Sequence, residues 1–152
     1  MKILEARYSL AETAALAGMS AGALYKSIAR QTLTLARKNG GQFSFTFNDV
    51  VGICAFAELL RTGISAPAAD KASCIVSDDE LAAHLLVRKR VEIWLVITRT
   101  AERDDVVVAW GADKLRDALS AAASNVTVLV RLHSLVADVA EAIDAMRSER
   151  SR

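Results

Sequence analysis

Lys26, Arg30, Arg37 and Lys38 stand in a stretch that holds no carboxylate between Glu12 and Asp49. Cations spaced along a segment with no competing acids suit a polyanion. Around the first of them the chain reads "MSAGALYKSI", Met19 to Ile28. Ser20 is a helix-capping residue, and Ala21, Gly22 and Ala23 are too small to keep a bulky partner away from the backbone. The Ser20 hydroxyl and the free N–H groups of a first helical turn can hold a phosphate. Tyr25 and Lys26 then present a phenol and an ammonium side by side. Downstream, Arg37, Lys38, Asn39 and Gln42 crowd around Gly40-Gly41. The alternative for these residues is an ordinary solvated face with Tyr25 half-buried and Lys26 merely hydrated.

Other chemistry is poorly provided for. His84 and His133 are the only histidines, and neither has a partner at ligand spacing, so no metal is expected. Asp78-Asp79 and Asp104-Asp105 fall at cap and turn positions, where Asp is expected for structural reasons. There is no glycine-rich phosphate loop, nucleophile elbow or Cys–His pairing. The reading is a protein that is not an enzyme and carries no cofactor. Cys54 and Cys74 have no metal-ligand spacing and read as thiols of a reducing, cytoplasmic compartment. No apolar run approaches a membrane span, and "MKILEARYSL" carries Glu5 and no long apolar core, unlike a signal peptide.

At 152 residues, 53% hydrophobic and 24% charged, the chain can bury a core as one domain or two small ones. Residues 1–76 hold eight Lys/Arg against five Asp/Glu, and residues 77–152 hold eleven against thirteen, so the halves carry +3 and −2. Ser9 with Glu12 forms a capping-box pattern before "LAETAALAG", and Gly18 supplies a left-handed stop. Ser20 caps a second helix. Two short helices joined by a tight turn follow a helix-turn-helix pattern. In "TLTLARKNGGQFSFTF", period two on both sides of Asn39-Gly40-Gly41 predicts a hairpin. A helix capped by Asn48 follows, with Val51, Ile53, Cys54, Phe56, Ala57 and Leu60 facing the core. A weaker helix begins near Pro67.

Ser77-Asp78-Asp79-Glu80 reads as a second capping box, and a boundary is placed there. "VEIWLVITRT" and "DDVVVAWG" read as strands, Asp113 as the cap of a helix, "NVTVLVRL" as a strand, and "HSLVADVAEAIDAM" as an amphipathic helix followed by a frayed tail.

The first half resembles the winged-helix DNA-binding fold of the MerR and excisionase group. The matching residues are "YSLAETAALAGMSAGALYKSIAR" (Tyr8 to Arg30) and "FSFTFNDVV" (Phe43 to Val51). They provide an aromatic before the first helix, Ala17-Gly18-Met19-Ser20 at the turn, and Leu24-Tyr25-Lys26 in the recognition helix. The chain has Tyr25-Lys26-Ser27 where MerR regulators usually carry Arg-Tyr-Tyr. It also replaces their long pairing helix with an α/β segment, so it is nearer the excisionase branch. The resemblance implies double-stranded DNA as partner. It assigns Ser20, Ala21, Gly22, Tyr25, Lys26 and Arg30 to the recognition helix and Arg37, Lys38, Asn39 and Gln42 to the wing.

The expected fold is therefore α+β: a winged helix-turn-helix over residues 1–76, then a small α/β dimerisation or sensing domain over 77–152. The expected function is a sequence-specific transcriptional regulator working as a homodimer. Trp94 and Trp110 on the paired strands, with the stripe Leu135, Val139, Ile143 and Met146, are assigned to the dimer contact. Half-sites would lie about one DNA turn, ~34 Å, apart. The alternatives are an excisionase-like architectural factor and an antitoxin or anti-repressor that binds another protein.

Overall fold

Ser9 starts the first long helix for a local reason. Its hydroxyl accepts from the Glu12 N–H at 3.3 Å, while the Glu12 carboxylate accepts from the Ser9 N–H at 2.7 Å. Two backbone donors that no helical partner can reach are thereby satisfied reciprocally. The computed structural model describes residues 2–35, 38–39, 41–79, 81, 85, 92–99, 102–122 and 126–150. After the one-turn α1 (Lys2–Glu5), α2 spans Leu10–Leu16 and α3 spans Ala21–Ala29. Gly18, at φ +64°, makes the left-handed turn between α2 and α3. The Ser20 hydroxyl accepts from the Ala23 N–H at 3.1 Å and opens α3.

A two-stranded ribbon follows, β1 (Lys38–Asn39) against β2 (Gln42–Phe43), with Asn39 opposite Gln42. It is shorter than the alternating sequence predicts. Thr34 does not enter a ladder: its N–H donates to the Asp70 carboxylate at 2.7 Å, and its hydroxyl reaches the same group. Tyr8 and Phe45 instead exchange both backbone hydrogen bonds at 2.9 Å, which fixes the root of the ribbon beside α2.

α4 (Phe47–Arg61) is capped by Thr46, not Asn48. Thr46 and Asp49 form the reciprocal box, and the Asn48 amide donates to the Asp79 carboxylate at 2.7 Å. Val51, Ile53, Cys54, Phe56 and Ala57 are buried as expected, but at the end of the helix Leu59 is buried in place of Leu60. α5 (Ala66–Val76) crosses α4 so closely that Gly52 is required there. Ser77 ends α5, and the Asp78 carboxylate accepts from the Leu81 N–H at 3.2 Å, so Asp78 takes the capping role expected of Ser77. Glu80, the other half of that expected box, lies outside the described residues, as does His84.

The second half forms a three-stranded antiparallel sheet, so the fold is mixed α+β. β3 (Ile93–Arg99) lies between β4 (Asp104–Trp110) and β5 (Val126–Arg131). Ile93, Leu95 and Ile97 point to one face and are fully buried. On the other face Val107, Val96 and Leu129 stand in one cross-strand row. α6 (Gly111–Ala121) follows β4 without a side-chain cap, so Asp113 does not act as one. Gly111, at φ +79°, turns directly out of the strand while its N–H donates to the Glu92 carbonyl at 2.7 Å.

α7 (Leu132–Arg150) continues into the segment expected to fray, as far as Arg150. Arg147 is held at the N-terminal end of the chain, its guanidinium donating to the Tyr8 hydroxyl at 3.4 Å, and Arg150 pairs with Glu12. The buried cluster is continuous across both halves, from Tyr8, Leu24 and Phe45 through Phe56 to Leu95, Leu132 and Ile143. A second clamp joins the sheet to the α4–α5 loop. Arg99 donates to Asp104 at 2.8 Å and to the Gly63 carbonyl at 2.6 Å, and Asp104 accepts from the Ser65 N–H at 3.0 Å. The Arg99 hydrogen bond, above all, holds the Asp104 carboxyl well below the usual carboxylate range.

Candidate nucleic-acid interface

α3 is anchored by one side chain. Leu24 is fully buried and Ile28 packs at the core edge. The helical period then leaves Ala21, Gly22, Ala23, Tyr25, Lys26 and Arg30 exposed. Nothing lies within 4 Å of the place a Gly22 side chain would begin, so this part of the helix is open to an approaching surface.

Tyr25 is 53% exposed but not loose. Its ring meets Phe43 of β2 edge-on, with centroids 6.1 Å apart, and Phe43 stacks on the buried Phe45 at 6.1 Å. Each contact contributes about 0.5–1.5 kcal/mol beyond area burial. An aromatic chain thus runs from the exposed face of α3 through the ribbon into the core, and it fixes the helix and ribbon relative to each other. Reading Phe43 and Phe45 only as alternating strand residues misses this positioning role. The signal for it was the pair of aromatics spaced two apart beside a lone Tyr on the preceding helix.

Gln42, on β2, is exposed beside this chain. Arg37 lies outside the described residues; Lys38 and Asn39 are described by their backbone in β1 alone. Ser20 is exposed, with its hydroxyl oxygen already serving as the α3 cap.

The bordering acids are engaged elsewhere. Asp49 is buried in its cap with Thr46, and Asp70 serves Thr34. The Glu12 carboxyl is held below its ordinary value, first by the Ser9 N–H and also by Arg150. Among the described residues neither Lys26 nor Arg30 pairs with a carboxylate. Their charge therefore faces solvent uncompensated. Arg61, which sequence reasoning did not single out, reaches the α2–α3 turn: its guanidinium donates to the Ala17 carbonyl at 3.5 Å.

The residues assigned to dimer contact are divided. Val139 and Ile143 are buried in the chain's own core, and Leu135 and Met146 pack against it. They are therefore not an available outer stripe, because their burial is already used within one chain. Trp94 is half-buried, and Trp110 is 42% exposed.

Among the described residues no group of three or more His, Cys, Asp or Glu side chains could hold a metal ion, and no helix is long and apolar enough to cross a membrane. No family model matches the chain, and no curated protein matches it.

Proposed function

We propose that this chain is a sequence-specific, double-stranded-DNA-binding regulator of transcription. In this reading residues 1–76 act as a MerR/excisionase-like winged helix, with α3 as recognition helix and the β1–β2 ribbon as wing. The observation that carries it is the exposed α3 face, Ala21 to Arg30, held to the ribbon by Tyr25 on Phe43. A recognition helix reads base edges from its N-terminal residues, and the small side chains at 21–23 allow that approach. Lys26 and Arg30, lacking carboxylate partners among the described residues, supply phosphate or guanine contacts.

The wing gives a direct test. Changing Arg37→Ala together with Lys38→Ala should weaken binding to all duplexes alike. It should also reduce the slope of log affinity against log salt by about 2, close to one per lost phosphate contact. Fluorescence anisotropy with a labelled duplex across a salt series measures it. An unchanged slope removes the wing from the interface.

The regulator is proposed to act as a homodimer, since two half-sites give a small domain the affinity one lacks. The surface proposed is the sheet face carrying Val107 and Leu129, which are 50% and 41% exposed on either side of buried Val96. Changing Val107→Glu with Leu129→Glu should yield monomers of unaltered fold by analytical ultracentrifugation. If the unaltered chain already sediments as a monomer at micromolar concentration, the dimer is wrong. An excisionase-like architectural role would use the same α3 surface; several adjacent sites with bent DNA, in place of one palindromic site, would favour it.

A further inference from the structure

A cavity of about 640 Å³ opens where the end of α2, the C-terminal half of α4, β5 and α7 meet. That volume lies in the range of small-molecule sites, which favour places where structural units join. Its floor is apolar and well packed: Ala17, Leu59 and Val139 are buried, and so is Cys54. Burial pushes the Cys54 thiol up to about 12, so the floor carries no charge at neutral pH. Val128 and Leu135 form apolar walls.

The rim holds four charged side chains, Glu58, Arg61, Arg131 and Asp138. Arg61 pairs with Glu58 at 2.9 Å, and Arg131 pairs with Glu92 outside the cavity. Asp138 has no ion pair or hydrogen bond from its side chain among the described residues. Asp138 is therefore the one charged side chain of the rim without an ion-pair partner among the described residues. A ligand with a carboxylate would meet that charge unfavourably, and a neutral ligand would leave it unused. A cation would complete it.

Arg61 also connects the cavity to the α2–α3 turn. Its guanidinium donates to the Ala17 carbonyl and lies 3.8 Å from the position a Gly18 side chain would take. Arg61 therefore touches both the cavity rim and the turn.

We infer that this cavity binds a small molecule with an apolar body and one ammonium group, and that its occupancy is transmitted through Arg61 to the turn ahead of α3. The binding stands apart from the DNA-binding reading; only its meaning as regulation rests on that reading.

The test uses the full chain without DNA, so its outcome is independent of any DNA affinity. Diphenylpropylamine and diphenylpropanoate share one apolar body and differ in charge. Calorimetric titration should show the amine binding at least roughly fivefold tighter, the scale of a partly exposed ion pair gained and a like-charge contact avoided. Asp138→Asn, at an exposed position, should keep the fold and remove the preference. In ¹⁵N–¹H spectra the Gly18 and Met19 amide signals should move as the amine is added, and Arg61→Gln should reduce that movement. Binding of neither compound, equal binding of both, or a preference that survives Asp138→Asn overturns the site. Amide signals at Gly18 and Met19 that stay still while the amine binds overturn the coupling.

Discussion

Gly22→Glu should abolish sequence-specific DNA binding while leaving the protein folded. The position is open, with nothing within 4 Å of a side chain's first atom, so the free protein accommodates the change. Gly is also among the poorest helix formers, and its replacement in α3 should leave the melting temperature unchanged or slightly higher. In the proposed DNA complex the same side chain would bring a carboxylate against phosphates and base edges. Like-charge contact at an interface costs several kcal/mol, so affinity should fall on the order of 100-fold or more. Gly22→Ala separates bulk from charge and should cost much less. Retained affinity in the Glu variant would take α3 out of the groove.

The largest stability effect is expected at Gly52, in the interior of α4. A Cβ on Gly52 would lie 2.7 Å from Leu35 Cδ1 and 2.7 Å from the Ser73 carbonyl oxygen. Leu35 can rotate away, but the carbonyl belongs to the α5 backbone, so α4 and α5 must separate. Phe56, Ala69 and Val76, all fully buried, lie along these helices and would lose packing with them. Gly52→Ala should therefore cost about 2–3 kcal/mol despite the better helix propensity of Ala. For a chain of this length that lowers the melting temperature by roughly 5–10 °C, readable by calorimetry. A melting temperature at or above that of the unaltered chain would contradict the close α4–α5 crossing.

Where local chemistry decides, the sequence was informative. Ser9 with Glu12, Gly18 and Ser20 mark their helix ends by hydrogen bonds made within a few residues, and all three occur as read. The β-branched and apolar runs that form β3, β4 and β5 were legible because such residues favour strands, and the central β3 is buried along most of its length. The misreadings have long-range causes. Thr34 alternates like a strand residue, but its N–H is taken by Asp70, 36 residues away. The tail after Met146 looks frayed by composition, yet Arg147 and Arg150 are held by Tyr8 and Glu12. The Val139–Ile143 stripe predicts a buried face and does not say whose: α7 folds back on its own chain. Asn48 fits a capping position by type, but Thr46 with Asp49 satisfies two donors where Asn48 would satisfy one. Of the candidate interface, residue types and order on α3 were readable. The Tyr25–Phe43–Phe45 contact was only hinted at by two aromatics spaced two apart after Tyr25, since the contact itself depends on how the ribbon lies against the helix.

The proposal that α3 and the ribbon form a DNA-binding face is tested most directly by locating DNA on the protein. The ¹⁵N-labelled full chain is titrated with a duplex carrying its selected site, at low salt where phosphate contacts are strongest. The account predicts that amide signals from Ser20 to Arg30 and at Gln42 and Phe43 move first and furthest. Those of the sheet face carrying Val107 should respond little. Absence of any perturbation, or perturbation confined to β3–β5 and α6, would contradict it.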